Sequence, residues 1–215
     1  MIHISHRILV GMTLSLISLF SSTALVAQED ADALRDYLPS GCHHSGQYLQ
    51  HKTLAGLAHP LVTQGMFIYA CDHGLIWHTG EPITETAIYK ISGQHFLLSE
   101  SDQLKPMTGR VHQSLGTLLN HLIGGDSAYL ERHFHAAAET DHLRLTPKNK
   151  RLKKFIQYIS IHPQGDKVAI ELQHAAGEST YITISDRQIH TSLTQDLCAQ
   201  LLPSKSLACD TLLAE

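Results

Sequence analysis

Histidine and cysteine are the residues of this chain with the most chemistry available to them. Among 215 residues there are 17 histidines and 4 cysteines. Neutral imidazole binds divalent metals and moves protons near neutral pH, so the close pairs His43-His44 and His133-x-His135 are the first places to look for a metal site. Neither spacing suits one. Adjacent residues, and residues two apart on a helix, point away from each other, and no H-E-x-x-H or comparable ligand set occurs. The histidines read as dispersed surface groups, and no metal is expected. Nucleophilic and nucleotide chemistry lack their frames as well, since neither a G-x-S-x-G elbow nor a G-x-x-x-x-G-K-[ST] loop is present. Neither an enzyme nor a cofactor is expected.

Cys42, Cys71, Cys198 and Cys209 contain no C-x-x-C, which removes thioredoxin-type redox chemistry. Cross-linking is what remains, provided the chain is exported. Arg7 precedes an uncharged apolar run from Ile8 to Phe20, and Ser21, Ser22, Thr23 and Ala24 follow. That is the layout of a secretory signal peptide, cleaved after Ala24 or Ala27. Residues 1–27 are taken as the signal and 28–215 as a single mature domain. The alternative is an uncleaved anchor, for which Ile8 to Ala27 is just long enough at about 20 residues. Export makes all four cysteines candidates for disulfides, with three possible connectivities. An antiparallel hairpin would bring Cys42 close to Cys71, and Cys198 and Cys209 are neighbours in the tail; these two pairings are favoured.

The elements that must position these residues are those of a folded domain. Hydrophobic residues make up 43% and charged residues 17%, enough for a sizeable core. With Lys+Arg 16 against Asp+Glu 20 the formal charge is -4, so nothing neutralises phosphates and nucleic acid is not an expected partner.

A first helix is predicted from Asp30 to Leu38, stopped by Pro39 and Gly41. Strands are predicted at Gly46 to Leu54, Gly65 to Cys71, Leu75 to Thr79, Thr84 to Ile91 and His95 to Leu98. Connections this short cannot hold crossover helices, so neighbouring strands must pair antiparallel. Val111, Leu115, Leu118, Leu119 and Leu122 then recur at the spacing of an amphipathic helix that Gly124 and Gly125 end. Asp126 can cap a second helix over Ser127 to His135. Strands resume at His142 to Thr146, Phe155 to His162, Lys167 to Gln173 and Thr180 to Ser185, and a tail helix is predicted at Thr194 to Leu202. The expectation is a helical pair inserted in one curling antiparallel sheet, covering it from one side.

The stretch Met66 to Cys71 is apolar on both faces: Met66, Ile68 and Ala70 on one, Phe67, Tyr69 and Cys71 on the other. Such a strand needs cover on both sides, or else one face lines a cavity that a ligand fills.

Two blocks carry a resemblance. In SGQYLQHKTLAGLAHPLVTQGMFIYACDHGLIWHTGEP, the residues Gly46, Tyr48, Gln50 and Lys52, then Gly65 and Phe67, then Leu75, Trp77 and Pro82 stand in the order of the strand-rich half of the outer-membrane lipoprotein carrier family, the LolA-like proteins. LRLTPKNKRLKKFIQYISIHPQGDKVAIELQHAAGESTYITIS is similar to that family's later strands. The likeness runs over roughly Leu34 to Ser185.

The resemblance implies an incomplete antiparallel β-barrel with a helical lid. It further implies a periplasmic carrier of lipoprotein acyl chains or other lipids, monomeric, which takes cargo from an inner-membrane donor and passes it to an outer-membrane acceptor. It makes Phe67, Tyr69, Leu75 and Trp77 candidate cavity residues and Leu115, Leu118, Leu119 and Leu122 candidate lid contacts. One departure stands out. The family's best-characterised carriers have an Arg-Pro at the end of the second strand, whose arginine latches the lid; Cys71 and Asp72 occupy that place here. The chain therefore looks like a divergent branch. A second function class fits the same fold: a lipid- or protein-sensing binding module at the inner membrane, with the N-terminal anchor retained.

Overall fold

The computed structural model describes residues 34, 37–39 and 41–214, and for residues 110–112 the backbone alone. The signal peptide or anchor lies outside these residues, as does most of the first predicted helix, of which Leu34 and Tyr37 are helical.

Five strands follow one another through short turns: β1 (His43–Thr53), β2 (Leu61–Ala70), β3 (Gly74–Glu81), β4 (Glu85–Lys90) and β5 (His95–Leu98). Each pairs antiparallel with the next, with Phe67 opposite Trp77 and Trp77 opposite Ala87. A short β6 (Leu104–Pro106) completes this half. Helices α1 (Arg110–Ile123) and α2 (Ser127–His133) come next, then β7 (Phe134–Ala138), β8 (Leu143–Pro147), β9 (Ile156–Gln164), β10 (Lys167–His174) and β11 (Ser179–His190). The chain ends in α3 (Gln195–Leu201) and α4 (Ser206–Leu213).

All strands form one 11-stranded sheet in the order β6-β5-β4-β3-β2-β1-β11-β10-β9-β8-β7. The two halves join where β1 pairs β11, Tyr48 opposite Ile184. The sheet is not closed, because β6 and β7 are its two edges. The helical pair leaves from one edge and returns at the other, so α1 and α2 span the seam of the incomplete barrel.

The second helix, the two edge strands and α4 differ from expectation. The second helix ends at His133, and Phe134 begins β7, pairing with Pro147. The edge strands β6 and β7 are too short and too mixed in composition to show the two-residue period. The other difference concerns the sheet's cover, which lies on both faces and not on one. On the concave face Phe67, Tyr69, Leu75, Trp77, Ile159, Ile161, Ile170 and Ile182 form a cluster with Leu118, Leu122 and Leu130 of the helices. On the convex face Ile68, Ala70, Ile76, Ile88 and Leu98 are buried under Leu193, Cys198, Leu202, Cys209 and Leu212 of the C-terminal segment. This is why the second strand is apolar on both sides: each face has its own protein cover.

The structure pairs Cys42 with Cys71 and Cys198 with Cys209, with Cα separations of 5.0 and 5.8 Å. The first ties the start of β1 to the end of β2, and the second joins α3 to α4. Lys205 fastens the same C-terminal cap from the other end. Its side chain is 6% exposed, and its Nζ donates to the carbonyls of Ser99 and Glu100 and to Asp102 Oδ1 in the β5–β6 turn. Disulfides of this kind belong to an oxidising compartment.

Candidate functional site

The concave face is built by strand alternation. In β1 the residues His44, Gly46 and Tyr48 point inward; in β2 Phe67 and Tyr69; in β3 Leu75 and Trp77; in β4 Ala87 and Tyr89. Tyr48 stacks on Trp77 with ring centroids 3.9 Å apart, and Phe67 lies parallel to Trp77 at 6.2 Å. Tyr48 Oη and Thr79 Oγ1 are hydrogen-bonded at 2.7 Å, and burial pushes the phenol up to about 12. Gly46 makes room for this wall, because a Cβ there would lie 2.7 Å from Phe67 Cε1.

All eight residues expected to form the cavity and its lid meet in one cluster. Phe67, Tyr69, Leu75, Trp77, Leu118 and Leu122 are buried, while Leu115 and Leu119 of α1 are partly buried against them. In this conformation the facing side chains of lid and sheet cover one another. Phe67, Leu118 and Leu122 are each 1% exposed. Among the described residues, the clefts of about 480, 410 and 260 Å³ lie elsewhere. The first and last open on the convex side of β1 and β2 around Gln47 and Met66, and the middle one flanks the outer surface of α1 at Gln113 and Thr117.

The lid is attached by polar contacts near its C-terminal end. His44, fully buried, donates from Nε2 to the carbonyl oxygen of Ile123 at 3.0 Å. Asn120 Nδ2 donates to the Tyr89 carbonyl at 3.0 Å. Burial, and then the charge of Arg187, lowers the His44 imidazole to about 4, so it is neutral in this contact at ordinary pH. Two glycines allow the close approach of helix to sheet. A Cβ at Gly116 would stand 2.4 Å from Tyr89 Cδ1, and one at Gly124 would stand 2.2 Å from Tyr69 Oη. Gly125, at φ +65°, turns the chain into α2, where a Cβ would meet the Pro39 carbonyl at 2.0 Å. Asp126 Oδ1 then accepts from Tyr129 N at 2.9 Å, the cap its position predicted, and Asp126 Oδ2 binds His121 Nδ1.

Sequence reasoning missed His44, Asn120, Tyr48 and Tyr89 as parts of this site. His44 was visible only as half of a close histidine pair. Its inward face follows once β1 begins at His43, because alternation then puts His44 on the side of Tyr48. Cys71 and Asp72 lie beyond the end of β2, and the lid is held from β1 and β4.

The other histidines mostly stay apart. His43 lies beside Cys42 and Cys71, but their sulfurs are joined to each other and offer no thiolate. His142 and His162 come together on the convex side of β8 and β9 with Asp141.

The fold and site together define an open antiparallel half-barrel whose apolar concave face is roofed by an amphipathic helix. No protein-family model and no curated protein matches the chain. Among solved structures it is similar to a LolA superfamily protein from Nitrosomonas europaea, at 12% identity and TM-score 0.48, covering 80% of this chain and 96% of that one. It is also similar to a DUF1329 family protein from Desulfovibrio piger, at 9% identity and TM-score 0.47, covering 81% and 96%.

Proposed function

We propose that the protein is a periplasmic carrier that shelters acyl chains of lipoproteins or of other lipids beneath α1, for transfer toward the outer membrane. The observation that carries this reading is the roof. An amphipathic helix closes the seam of an open sheet over a largely apolar wall, and it is held there by side-chain contacts and two hydrogen bonds from His44 and Asn120.

Magnitudes favour exchange of lid for cargo. Sheltering one sixteen-carbon chain is worth on the order of 10 kcal/mol at about 0.8 kcal/mol per methylene. Fully uncovering Leu118 and Leu122 costs about 1.5–3 kcal/mol each, and a chain lying between helix and sheet covers them again. The concave wall of Phe67, Tyr69, Leu75 and Trp77 then contacts the chain from one side and Leu115, Leu118, Leu119 and Leu122 from the other. Such a carrier performs no covalent chemistry; it takes cargo from an inner-membrane donor and yields it to an outer-membrane acceptor with greater affinity.

The mutual cover of Phe67, Leu118 and Leu122 favours a second reading, a lipid- or protein-sensing module of the same fold. Transfer separates the two. Vesicles loaded with a fluorescent fatty-acyl phospholipid are mixed with acceptor vesicles and with the mature protein. A carrier speeds transfer in proportion to its concentration and holds the probe in the soluble fraction between vesicles, whereas a sensor binds without accelerating transfer.

A further inference from the structure

We propose that Asp141, His142 and His162 form a binding site for a single divalent transition metal, with zinc(II) as the class representative. The Glu139 N–H donates to the His142 carbonyl at 2.8 Å. That bond closes the turn between β7 and β8 and fixes Asp141 and His142 at its end. β8 pairs with β9, Leu143 opposite Ile161, which places the next residue of β9, His162, beside His142. The two imidazoles stack at 4.7 Å with 23° between their planes. One ligand atom from each of Asp141, His142 and His162 lies within 4.8 Å of the others.

Both nitrogens of His142 face carboxylates. Nδ1 faces Asp141 Oδ1 at 2.8 Å, while Nε2 faces Glu139 Oε2 at 3.2 Å. Glu139 is in turn held by Arg144, whose Nε donates to Oε1 at 2.7 Å, and the Arg144 guanidinium lies over the Tyr158 ring at 4.4 Å. Metal-binding histidines characteristically donate their far N–H to a carboxylate that fixes tautomer and ring orientation. The chain Tyr158–Arg144–Glu139–His142 supplies that support at Nε2, while Nδ1 donates to Asp141 Oδ1 in the metal-free protein, and a bound ion takes the place of that proton between the same two atoms. The His142 side chain is 13% exposed and so is held in place, whereas Asp141 is 78% exposed and free to swing.

Two imidazole nitrogens and one carboxylate oxygen suit zinc, nickel or copper and not calcium or magnesium, which take oxygen ligands. Zinc bonds of about 2.0–2.2 Å set tetrahedral ligand atoms about 3.3 Å apart, so the widest separation closes by at most about 1.5 Å. Rotation of the exposed Asp141 and a small splay of the two rings accomplish this. The fourth position is left to solvent. A bound ion would clip the β7–β8 turn onto β9, near the free edge of the sheet and away from the lid.

The test is calorimetric titration of zinc chloride into the mature, tag-free, disulfide-intact protein after chelator stripping. One equivalent is expected to bind, with magnesium chloride giving no saturable heat. His162→Ala and Asp141→Asn should each weaken zinc binding at least tenfold. Glu139→Gln, which removes only the support of His142, should weaken it by about tenfold, and His73→Ala should leave it unchanged. Melting in chelator checks that each variant is folded. In the unmodified protein, zinc should shift the ring-proton resonances of His142 and His162 ahead of other histidines. Absence of saturable binding, full affinity in His162→Ala, or resonance shifts spread over many histidines would each overturn the site.

Discussion

His44 Nε2 donates to the carbonyl oxygen of Ile123 at 3.0 Å, joining the first strand of the sheet to the last residue of the lid helix. The two are 79 residues apart in sequence. The imidazole also packs against Phe67 and Tyr69, with ring centroids at 5.7 and 5.1 Å. It therefore holds the lid and forms part of the wall the lid covers.

His44→Ala should loosen the lid more than it harms the sheet. The variant leaves the Ile123 carbonyl without its partner and is expected to lose about 1–3 kcal/mol of stability. A shift of about 1.4 kcal/mol from closed toward open raises the open population tenfold. Titration with a fluorescent fatty acid should accordingly show a lower apparent Kd in His44→Ala than in the unmodified protein. An equal or higher Kd in a folded variant would show that His44 does not restrain the lid.

The same histidine makes stability depend on pH. Its imidazole has a pKa of about 4 when folded, against 6.5 in the unfolded chain. Between these values the unfolded chain binds more protons, so stability rises with pH there. The full contribution is present above about 6.5, is lost as pH falls toward 4, and levels off below. The loss amounts to about 3 kcal/mol at 1.36 kcal/mol per unit. His78, His121 and His174 are lowered by burial as well and act in the same direction. Urea midpoints measured from pH 7.5 to 4 should fall, and His44→Gln should flatten the curve. Parallel curves for the two proteins would refute the assignment to His44.

Gly124→Ala tests how closely the lid sits. Gly124 has φ −74°, a conformation open to any residue, so the cost comes from the neighbour and not from the backbone. The added methyl would meet Tyr69 Oη at 2.2 Å, and Gly116→Ala would meet Tyr89 Cδ1 at 2.4 Å. Each should destabilise by about 1–3 kcal/mol as overpacking and increase acyl-probe uptake. Unchanged melting in both would mean that the helix stands off the sheet.

Much of this architecture was legible in the sequence. Alternation in residues 167–173 gave β10, with Val168, Ile170 and Leu172 inward, and the spacing of Leu115, Leu118, Leu119 and Leu122 gave α1 and its buried side. What could not be read was where distant residues meet. Ile123 offers only a backbone carbonyl to His44, and a backbone acceptor leaves no trace in residue type. His142 and His162 are brought together by the β8–β9 register, which no local spacing encodes. The convex cover was missed because α4 follows Pro203, where the predicted tail helix had ended, and its Ala208, Cys209 and Leu212 form too short a periodic run.

The C-terminal cap gives a contrast to the lid. Replacing both Cys198 and Cys209 by serine should cost about 2–3 kcal/mol, as expected for a short closed loop. Lys205→Met removes the donor to Ser99 and Glu100 and should cost about 1–3 kcal/mol. Both changes lie on the convex side. Their melting temperatures should drop while the apparent Kd for the acyl probe stays the same. A change in probe affinity equal to that of His44→Ala would place binding on the wrong face.

The central claim is that the concave wall of Phe67, Tyr69, Leu75 and Trp77 receives a lipid chain when α1 moves aside. Mass spectrometry of organic extracts from the protein purified out of its native cells measures this directly. The account predicts acyl lipid in near-stoichiometric amount, reduced when Leu118 and Leu122 are fastened to the sheet by an engineered cross-link. Protein recovered free of lipid, and unable to take up a fluorescent fatty acid in any of the loosened variants, would contradict it.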